Sequence, residues 1–166
     1  MADIDLVPWS ERGFAVLLGL NSPGMTEHLG GPETMEQVRR RHERYLASTD
    51  GPMFVILLGD RPVGSVGYWL RDWRGRRVYE TGYGVLPEYQ GRGFAVAALL
   101  RCAERAAREG TLEWLHAFPS VDNAASNAVC RKAGFELTGE CDFEYPPGHP
   151  VRSNDWRLPL DRPFAG

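Results

Sequence analysis

The chain has 166 residues, of which 43% are apolar and 25% charged, as expected for one globular domain with a sizeable core. Its net charge of -3 provides no overall positive field for nucleic acid, and we interpret the basic run at 39–44 as a solvated helix face. The N-terminus lacks the basic start of a signal peptide, and no segment approaches the roughly 18 apolar residues of a membrane span. Three cysteines and four histidines without metal-ligand spacing predict reduced thiols, no metal site and a cytoplasmic protein.

The N-terminal forty-odd residues are predicted to be helical with breaks. A short helical segment begins at Ser10 and stops at 21–24, where Asn, Ser, Pro and Gly follow one another. A second helix opens at Pro32 and runs to about Ser48. Thr34 is its predicted cap, and a glutamine stands three residues later at the capping-box position.

The hydrophobic period then changes from helix to strand. Residues 53–58 and 63–70 are short runs rich in β-branched residues on either side of a turn, which predicts a β-hairpin. Residues 72–77 are predicted to be a polar loop. A third strand covers 78–86 and ends before Pro87.

The clearest helix is predicted at 94–109, where charged residues recur at helical spacing on one face and apolar residues occupy the rest. A strand at 112–118, a helix ending near Ala133 and strands at 135–139 and within 153–160 follow. A crossover helix makes the strands on either side of it parallel, so 78–86 and 112–118 are predicted to be a parallel pair. The order predicts a mixed sheet with helices on its faces.

The segment Gln90-Gly91-Arg92-Gly93-Phe94-Ala95 lies between a strand and this helix. Its glycines permit a ligand to approach the backbone, and the unpaired N–H groups of a helix start favour a phosphate or pyrophosphate. A dinucleotide fingerprint would require glycine or alanine where Val96 stands, and a P-loop would require a lysine and a hydroxyl that are absent here. A glycine turn without a ligand remains the alternative.

Two motifs resemble those of the GNAT superfamily of N-acetyltransferases. Gln90, Gly93 and Ala95 match its acetyl-CoA-binding motif Q/R-x-x-G-x-G/A, and 83–89 resemble its fourth strand and the exit from it. Residues 123–126 and 131–135 resemble its N-x-x-S/A…K-x-G-F helix. The resemblance covers roughly 50–160 and points to the branch that contains ribosomal-protein N-terminal acetyltransferases. It implies an α/β (α+β) fold: one domain over 1–166 with a mixed, mostly antiparallel sheet of six to seven strands and about four helices.

The resemblance implies acetyl-CoA as cosubstrate, no metal, and a primary amine acceptor. The pyrophosphate would contact the backbone of the 90–95 segment, and the pantetheine arm would pair with the strand near Val85 and Leu86. Asn123, Ser126 and Lys132 would complete the cofactor site, although a helix cap and solvated charge are alternatives for these residues. The residues implied to bind the cofactor are Val85, Leu86, Gln90, Gly91, Arg92, Gly93, Phe94, Ala95, Asn123, Ser126 and Lys132.

Acetyl transfer requires a neutral amine, a stabilised oxyanion and a protonated thiol. At pH 7 roughly a seventh of an α-amine of pKa near 7.8 is neutral, so an α-amine needs only a modest base. Glu80 is the candidate base, although alternation places it on the opposite side of the strand from Val85 unless a bulge intervenes. Many superfamily members carry a tyrosine acid on the second motif helix; Cys130 stands at the matching position and is the candidate acid, with a buried helix cysteine as the alternative. The candidate acceptor-site residues are Tyr68, His149, Asp155 and Trp156.

These features are compatible with four functions. The leading hypothesis is an N-acetyltransferase that acts by direct transfer in a ternary complex. Its acceptor would be a protein N-terminus or a small amine. Because the usual tyrosine is missing, a non-catalytic acetyl-CoA-binding sensor or interaction module is the alternative. Transfer of a longer acyl chain and general nucleotide-phosphate binding are the others. Pairing of edge strands would permit a homodimer.

Overall fold

The computed structural model describes residues 3–164. Within these residues, a seven-stranded sheet is flanked by five α-helices and one short 3-10 helix. The strands are β1 (Asp5–Pro8), β2 (Met53–Leu58), β3 (Arg61–Trp73), β4 (Arg76–Val85), β5 (Trp114–Ala117), β6 (Glu136–Glu144) and β7 (Pro150–Pro159). The helices are α1 (Gly13–Leu20), α2 (Pro23–Thr26), α3 (Met35–Ala47), α4 (Phe94–Glu109), α5 (Ala124–Lys132) and the 3-10 helix Pro87–Tyr89.

The sheet has the strand order β1-β2-β3-β4-β5-β7-β6. Strands β4 and β5 are parallel, and every other neighbouring pair within residues 3–164 is antiparallel. The crossover through α4 produces this parallel pair, as predicted. The mixed, mostly antiparallel sheet and its flanking helices are therefore confirmed.

Two parts of the chain differ from the prediction. The N-terminal region is not helical throughout, because β1 pairs with β2 and aligns Val7 with Val55. Four residues are too few to show a strand period in the sequence. The predicted loop at 72–77 is also wrong, since β3 and β4 continue to a tight turn at Arg74 and Gly75, with φ of 50° and 80°. The side chains at this hairpin tip are largely solvent-exposed, which explains their polar pattern.

The sheet buries a different apolar cluster on each face. On the face covered by α4 and α5, the core includes Val66, Leu99 and Leu115. On the face covered by α1 and α3, it includes Val16 and Val38. Helices thus enclose the sheet from both sides, and we name the two sides the α4 face and the α3 face.

Local signals in the sequence account for the helix ends. The predicted capping box of α3 is confirmed: Thr34 Oγ1 accepts from the Gln37 N–H (3.2 Å), and Gln37 Oε1 accepts from the Thr34 N–H (2.8 Å). Helix α4 begins at Phe94 and ends at Glu109, as the pattern predicted. Its start and the end of β4 therefore come together at one edge of the α4 face.

Candidate active site

Strands β4 and β5 diverge and open a cleft through the sheet. They pair only at Tyr79–Leu115 and Glu80–His116. Beyond these pairs lies a cleft of about 800 Å³ that reaches both faces of the sheet. The pairing of β4 with β3 is continuous to Val85, so no bulge turns Glu80 and Val85 toward the same face. Both residues nevertheless line the cleft, because it passes between the separated strands.

The backbone of β4 presents an unpaired edge to this cleft. Leu86 donates its N–H to the Val63 carbonyl (2.8 Å) and so faces β3. Hydrogen-bonding residues alternate along an antiparallel pair, so the peptide groups of Tyr83 and Val85 face the opening. The Val85 carbonyl there accepts from Gln90 Nε2 (3.0 Å). An extended ligand can pair with this edge at Tyr83 and Val85, whereas the Leu86 N–H is already used within the sheet.

The 90–95 segment forms a glycine-rich wall at the start of α4. Gly91 and Gly93 have φ of 78° and 80°, in the left-handed region that favours glycine. A Cβ on either would meet no atom of the described residues within 4 Å. Gly93 occupies the N-cap position, and no described side chain caps the helix, so the first N–H groups of the 16-residue α4 remain free for an anion. Arg92 does not line the cleft; its guanidinium lies 5.8 Å from the centre of the Tyr89 ring.

Helix α5 forms the opposite wall on the α4 face. Asn123, Ser126 and Lys132 all line the cleft. Asn123 Oδ1 accepts from the Ser126 N–H (3.1 Å) and so caps α5. Asn127 is buried, and no sequence motif indicated it. Its side-chain oxygen accepts a hydrogen bond from Trp156 Nε1 (2.8 Å) and so ties α5 to β7. Trp156 is therefore held in the core by a satisfied indole and does not line the cleft.

A tyrosine from β4 occupies the space in front of Cys130. The Tyr83 hydroxyl lies 2.9 Å from Ser126 Oγ and 3.3 Å from Cys130 Sγ, and the tyrosine lines the cleft. Burial raises the pKa of Tyr83 well above 10, so its hydroxyl stays protonated at neutral pH. Burial also raises the pKa of Cys130 to about 11, and Cys130 does not reach the cleft wall. The position of Tyr83 on a strand facing α5 gave no signal in the sequence motifs.

Glu80 lies on the α3 face at the point where β4 and β5 part. Arg71 Nη1 on β3 donates to Glu80 Oε1 (2.9 Å). Burial raises the pKa of Glu80, and the charge of Arg71 opposes that rise. The carboxylate is thus close to the opening and held in place by one guanidinium.

Beside Glu80, the buried residues His116 and Asp155 form a pair across β5 and β7. His116 Nδ1 and Asp155 Oδ1 are 2.6 Å apart, and Trp73 Nε1 donates to Asp155 Oδ2 (3.0 Å). Burial alone would raise the pKa of Asp155, but the hydrogen bonds from His116 and Trp73 lower it overall. Asp155 is therefore engaged with protein groups below the cleft and does not line it.

The two remaining candidate acceptor residues also lie outside the cleft lining. Tyr68 is buried on the α4 face, where its ring meets Tyr79 edge-on with centroids 5.1 Å apart. His149 is exposed in the turn between β6 and β7. The structure thus brings together Glu80, the glycine-rich wall and α5, but leaves these two apart from them.

An ion pair between Arg41 on α3 and Glu33 lines the cleft, and no sequence motif indicated it. Arg41 donates from Nε to Glu33 Oε1 (2.9 Å) and from Nη2 to Glu33 Oε2 (2.7 Å). It also reaches the hydroxyls of Tyr45 (3.1 Å) and Tyr145 (3.3 Å). Arg41 and Tyr145 are 104 positions apart, so no local pattern could have indicated this contact.

Among residues 3–164, no group of three or more His, Cys, Asp or Glu side chains is placed to hold a metal ion. No helix in the same part of the chain is long and apolar enough to cross a membrane.

Comparison with known proteins identifies a family for this arrangement. Residues 3–136 match the family model described as "Acetyltransferase (GNAT) domain". No curated protein sequence matches the chain.

Several solved structures share the fold over almost the whole chain. The ribosomal L7/L12 α-N-protein acetyltransferase RimL, in complex with coenzyme A, is 23% identical with a TM-score of 0.78, covering 95% of this chain and 94% of that chain. The aminoglycoside acetyltransferase AAC(6')-Ib with coenzyme A is 19% identical (TM-score 0.78, 95% of each chain). Spermidine N-acetyltransferase from Vibrio cholerae, with CoA and spermine, is 15% identical (TM-score 0.76, 95% of each chain). At these sequence identities, the structural similarity establishes a shared fold.

Proposed function

Because the chain belongs to the GNAT family of acetyltransferases, we propose that it transfers the acetyl group of acetyl-CoA to a primary amine by direct transfer in a ternary complex. The observation that carries this proposal is the cleft between β4 and β5, where an unpaired strand edge meets the glycine-rich start of α4. An extended arm that ends in a pyrophosphate is complementary to that combination. The same opening reaches the α3 face, where an amine can approach from the other side.

Different parts of the cleft fit different parts of acetyl-CoA. The N–H groups at the start of α4 and the open space beside Gly91 and Gly93 fit the pyrophosphate. The β4 edge at Tyr83 and Val85 fits the amides of the pantetheine arm, and Asn123 and Ser126 lie across the cleft from it. Lys132 at the end of α5 supplies positive charge for phosphate groups, and so does Arg92 within the 90–95 segment.

Acetyl-CoA supplies a thioester whose carbonyl carbon accepts the amine nitrogen. We assign Glu80 as the base that receives the amine proton, directly or through water, because it lines the cleft at its narrow end on the α3 face. Burial raises its pKa and so makes it a stronger base than an exposed glutamate, while the charge of Arg71 opposes that rise. A backbone N–H near Val85 is the candidate donor to the oxyanion.

We assign the proton donor for the departing thiolate to Tyr83 rather than to Cys130. When the carbon–sulfur bond breaks, the electron pair stays on sulfur, and a protonated hydroxyl stabilises that charge. The Tyr83 hydroxyl lines the cleft and stays protonated at neutral pH. It lies beside Ser126 and beside Cys130, the position on α5 where many superfamily members carry a tyrosine.

A two-step measurement tests the proposal. Thermal stability is compared with acetyl-CoA, CoA and ATP, and thiol release is then followed across a panel of amines. At a hundredfold excess over Kd, a bound cosubstrate stabilises by about 2.7 kcal/mol, which raises Tm by about 5–11 °C in a chain of this size. Both CoA species should give this shift, and ATP should not. No shift with either CoA species would refute the assignment of the cleft, whereas a shift without thiol release from any amine would favour the sensor function.

A further inference from the structure

The carboxylates on the acceptor side of the cleft are already paired with cations of the protein. Among the described residues that line the cleft, Glu33 and Glu80 are the acidic ones. Both oxygens of Glu33 accept from Arg41, and Glu80 Oε1 accepts from Arg71. These hydrogen bonds satisfy the negative charge at both places. A second ammonium group on an acceptor would find no uncompensated carboxylate there.

The same side of the cleft is lined by aromatic rings whose positions are fixed by neighbours. Phe118 and Phe143 stack with centroids 4.6 Å apart. Arg41 holds the hydroxyls of Tyr45 and Tyr145 by hydrogen bonds. The rings form an apolar wall, and contact with it removes apolar surface of an acceptor from water, which favours binding of an apolar group.

Phe118 and Phe143 are not free to attract an added cation. The Arg71 guanidinium lies 4.3 Å from the Phe143 centroid and 5.7 Å from the Phe118 centroid. An ammonium placed against these rings would therefore lie close to a guanidinium. The usual cation–π attraction is offset by like-charge repulsion in this geometry.

We infer that the acceptor is a primary amine attached to an aromatic or other bulky apolar group and carrying no second positive charge. This inference rests on the proposed acetyl transfer and names its substrate class. Both a free amine and the first residue of a peptide can supply this chemistry. A polyamine would have to place additional ammonium groups beside Arg41 and Arg71, where no carboxylate of the cleft lining remains unpaired.

Matched amines that differ by one charge test the inference. Hexylamine is compared with hexane-1,6-diamine, and the peptide amide Phe-Ala-Gly with Lys-Ala-Gly, each as kcat/KM for thiol release per amine. We expect the apolar member of at least one pair to be preferred tenfold or more. A preference in the free-amine pair alone identifies small molecules as the source, and one in the peptide pair alone identifies a polypeptide N-terminus. Ratios below tenfold in both pairs would overturn the inference.

Binding separates failure of this inference from failure of the proposed function. Titration of the same four compounds into the CoA complex measures acceptor preference even if no thiol is released. Equal affinities within each pair would refute the apolar acceptor while leaving acetyl transfer open. A tenfold binding preference without turnover would retain the acceptor chemistry and count against catalysis.

A charge variant tests the physical cause. Arg41→Gln removes the partner of Glu33, so the ratio of diamine to monoamine affinity should rise at least tenfold. In Glu33→Gln/Arg41→Gln the carboxylate is gone as well, and the ratio should return to that of the wild type. Arg40→Gln is the matched control, because Arg40 pairs with Glu36 (2.6 Å) on the same helix but outside the cleft lining. An Arg41→Gln protein that binds CoA normally with an unchanged ratio would contradict the argument from paired carboxylates.

Discussion

Substitution of Gly93 by alanine is the sharpest test of where the pyrophosphate binds. Gly93 has φ of 80° at the N-cap of α4, and an L-residue costs about 1–2 kcal/mol in this conformation. At 2–4 °C per kcal/mol, the substitution should lower Tm by about 2–8 °C. An added Cβ would meet no atom of the described residues within 4 Å, so it should not disturb the fold further.

Gly93→Ala should also weaken CoA binding, which is an effect separate from its cost in stability. The methyl group would occupy the space assigned to the pyrophosphate and displace at least one hydrogen bond to a charged group, each worth about 1.5–3 kcal/mol. At 1.4 kcal/mol per tenfold, Kd should rise about 10- to 150-fold, measured by calorimetric titration of CoA.

Gly75→Ala is the matched control for this experiment. Gly75 has the same φ of 80° and equally open surroundings, but it lies at the β3–β4 turn outside the cleft lining. It should therefore lose similar stability and retain CoA affinity. A folded Gly93→Ala protein with a Kd within threefold of the wild type would refute the placement of the pyrophosphate.

Three other predictions concern the acid, a helix cap and pH. Tyr83→Phe should lower kcat by about 100-fold or more with acetyl-CoA affinity little changed, whereas Cys130→Ala should leave kcat within a few-fold; the reverse order would exchange their roles. Thr34→Ala should cost about 1 kcal/mol in urea unfolding, and no loss would contradict the capping box. The folded pKa of Asp155 lies below its ordinary value of 3.8, so its stabilisation is present above that value and lost as the pH falls toward the folded pKa. Asp155→Asn should therefore flatten the decline of the free energy of unfolding below about pH 4, and an unchanged slope would refute this assignment.

Features that depend on neighbours in the chain were predictable. The period of apolar residues identified α4, and the glycines of the 90–95 segment predicted an anion site at the start of that helix, which stays a prediction. Thr34 and the glutamine three residues later are enough to specify a capping box, because both hydrogen bonds form within one turn. The parallel pairing of β4 and β5 follows from one crossover helix. The proposed cosubstrate site is built mostly from such local elements.

Only the tertiary structure decided which distant side chains meet in and around the cleft. Arg41 meets Tyr145 across 104 positions, His116 meets Asp155 across 39, and Tyr83 reaches α5 across more than 40. These contacts depend on strand order and register, which no single segment encodes. The sequence by itself therefore determined the elements and the glycine-rich start of α4, which is proposed to bind phosphate, because those depend on hydrogen bonds between near neighbours. The fold decided which charges are paired and which hydroxyl faces the cleft, because those depend on where separate strands and helices meet.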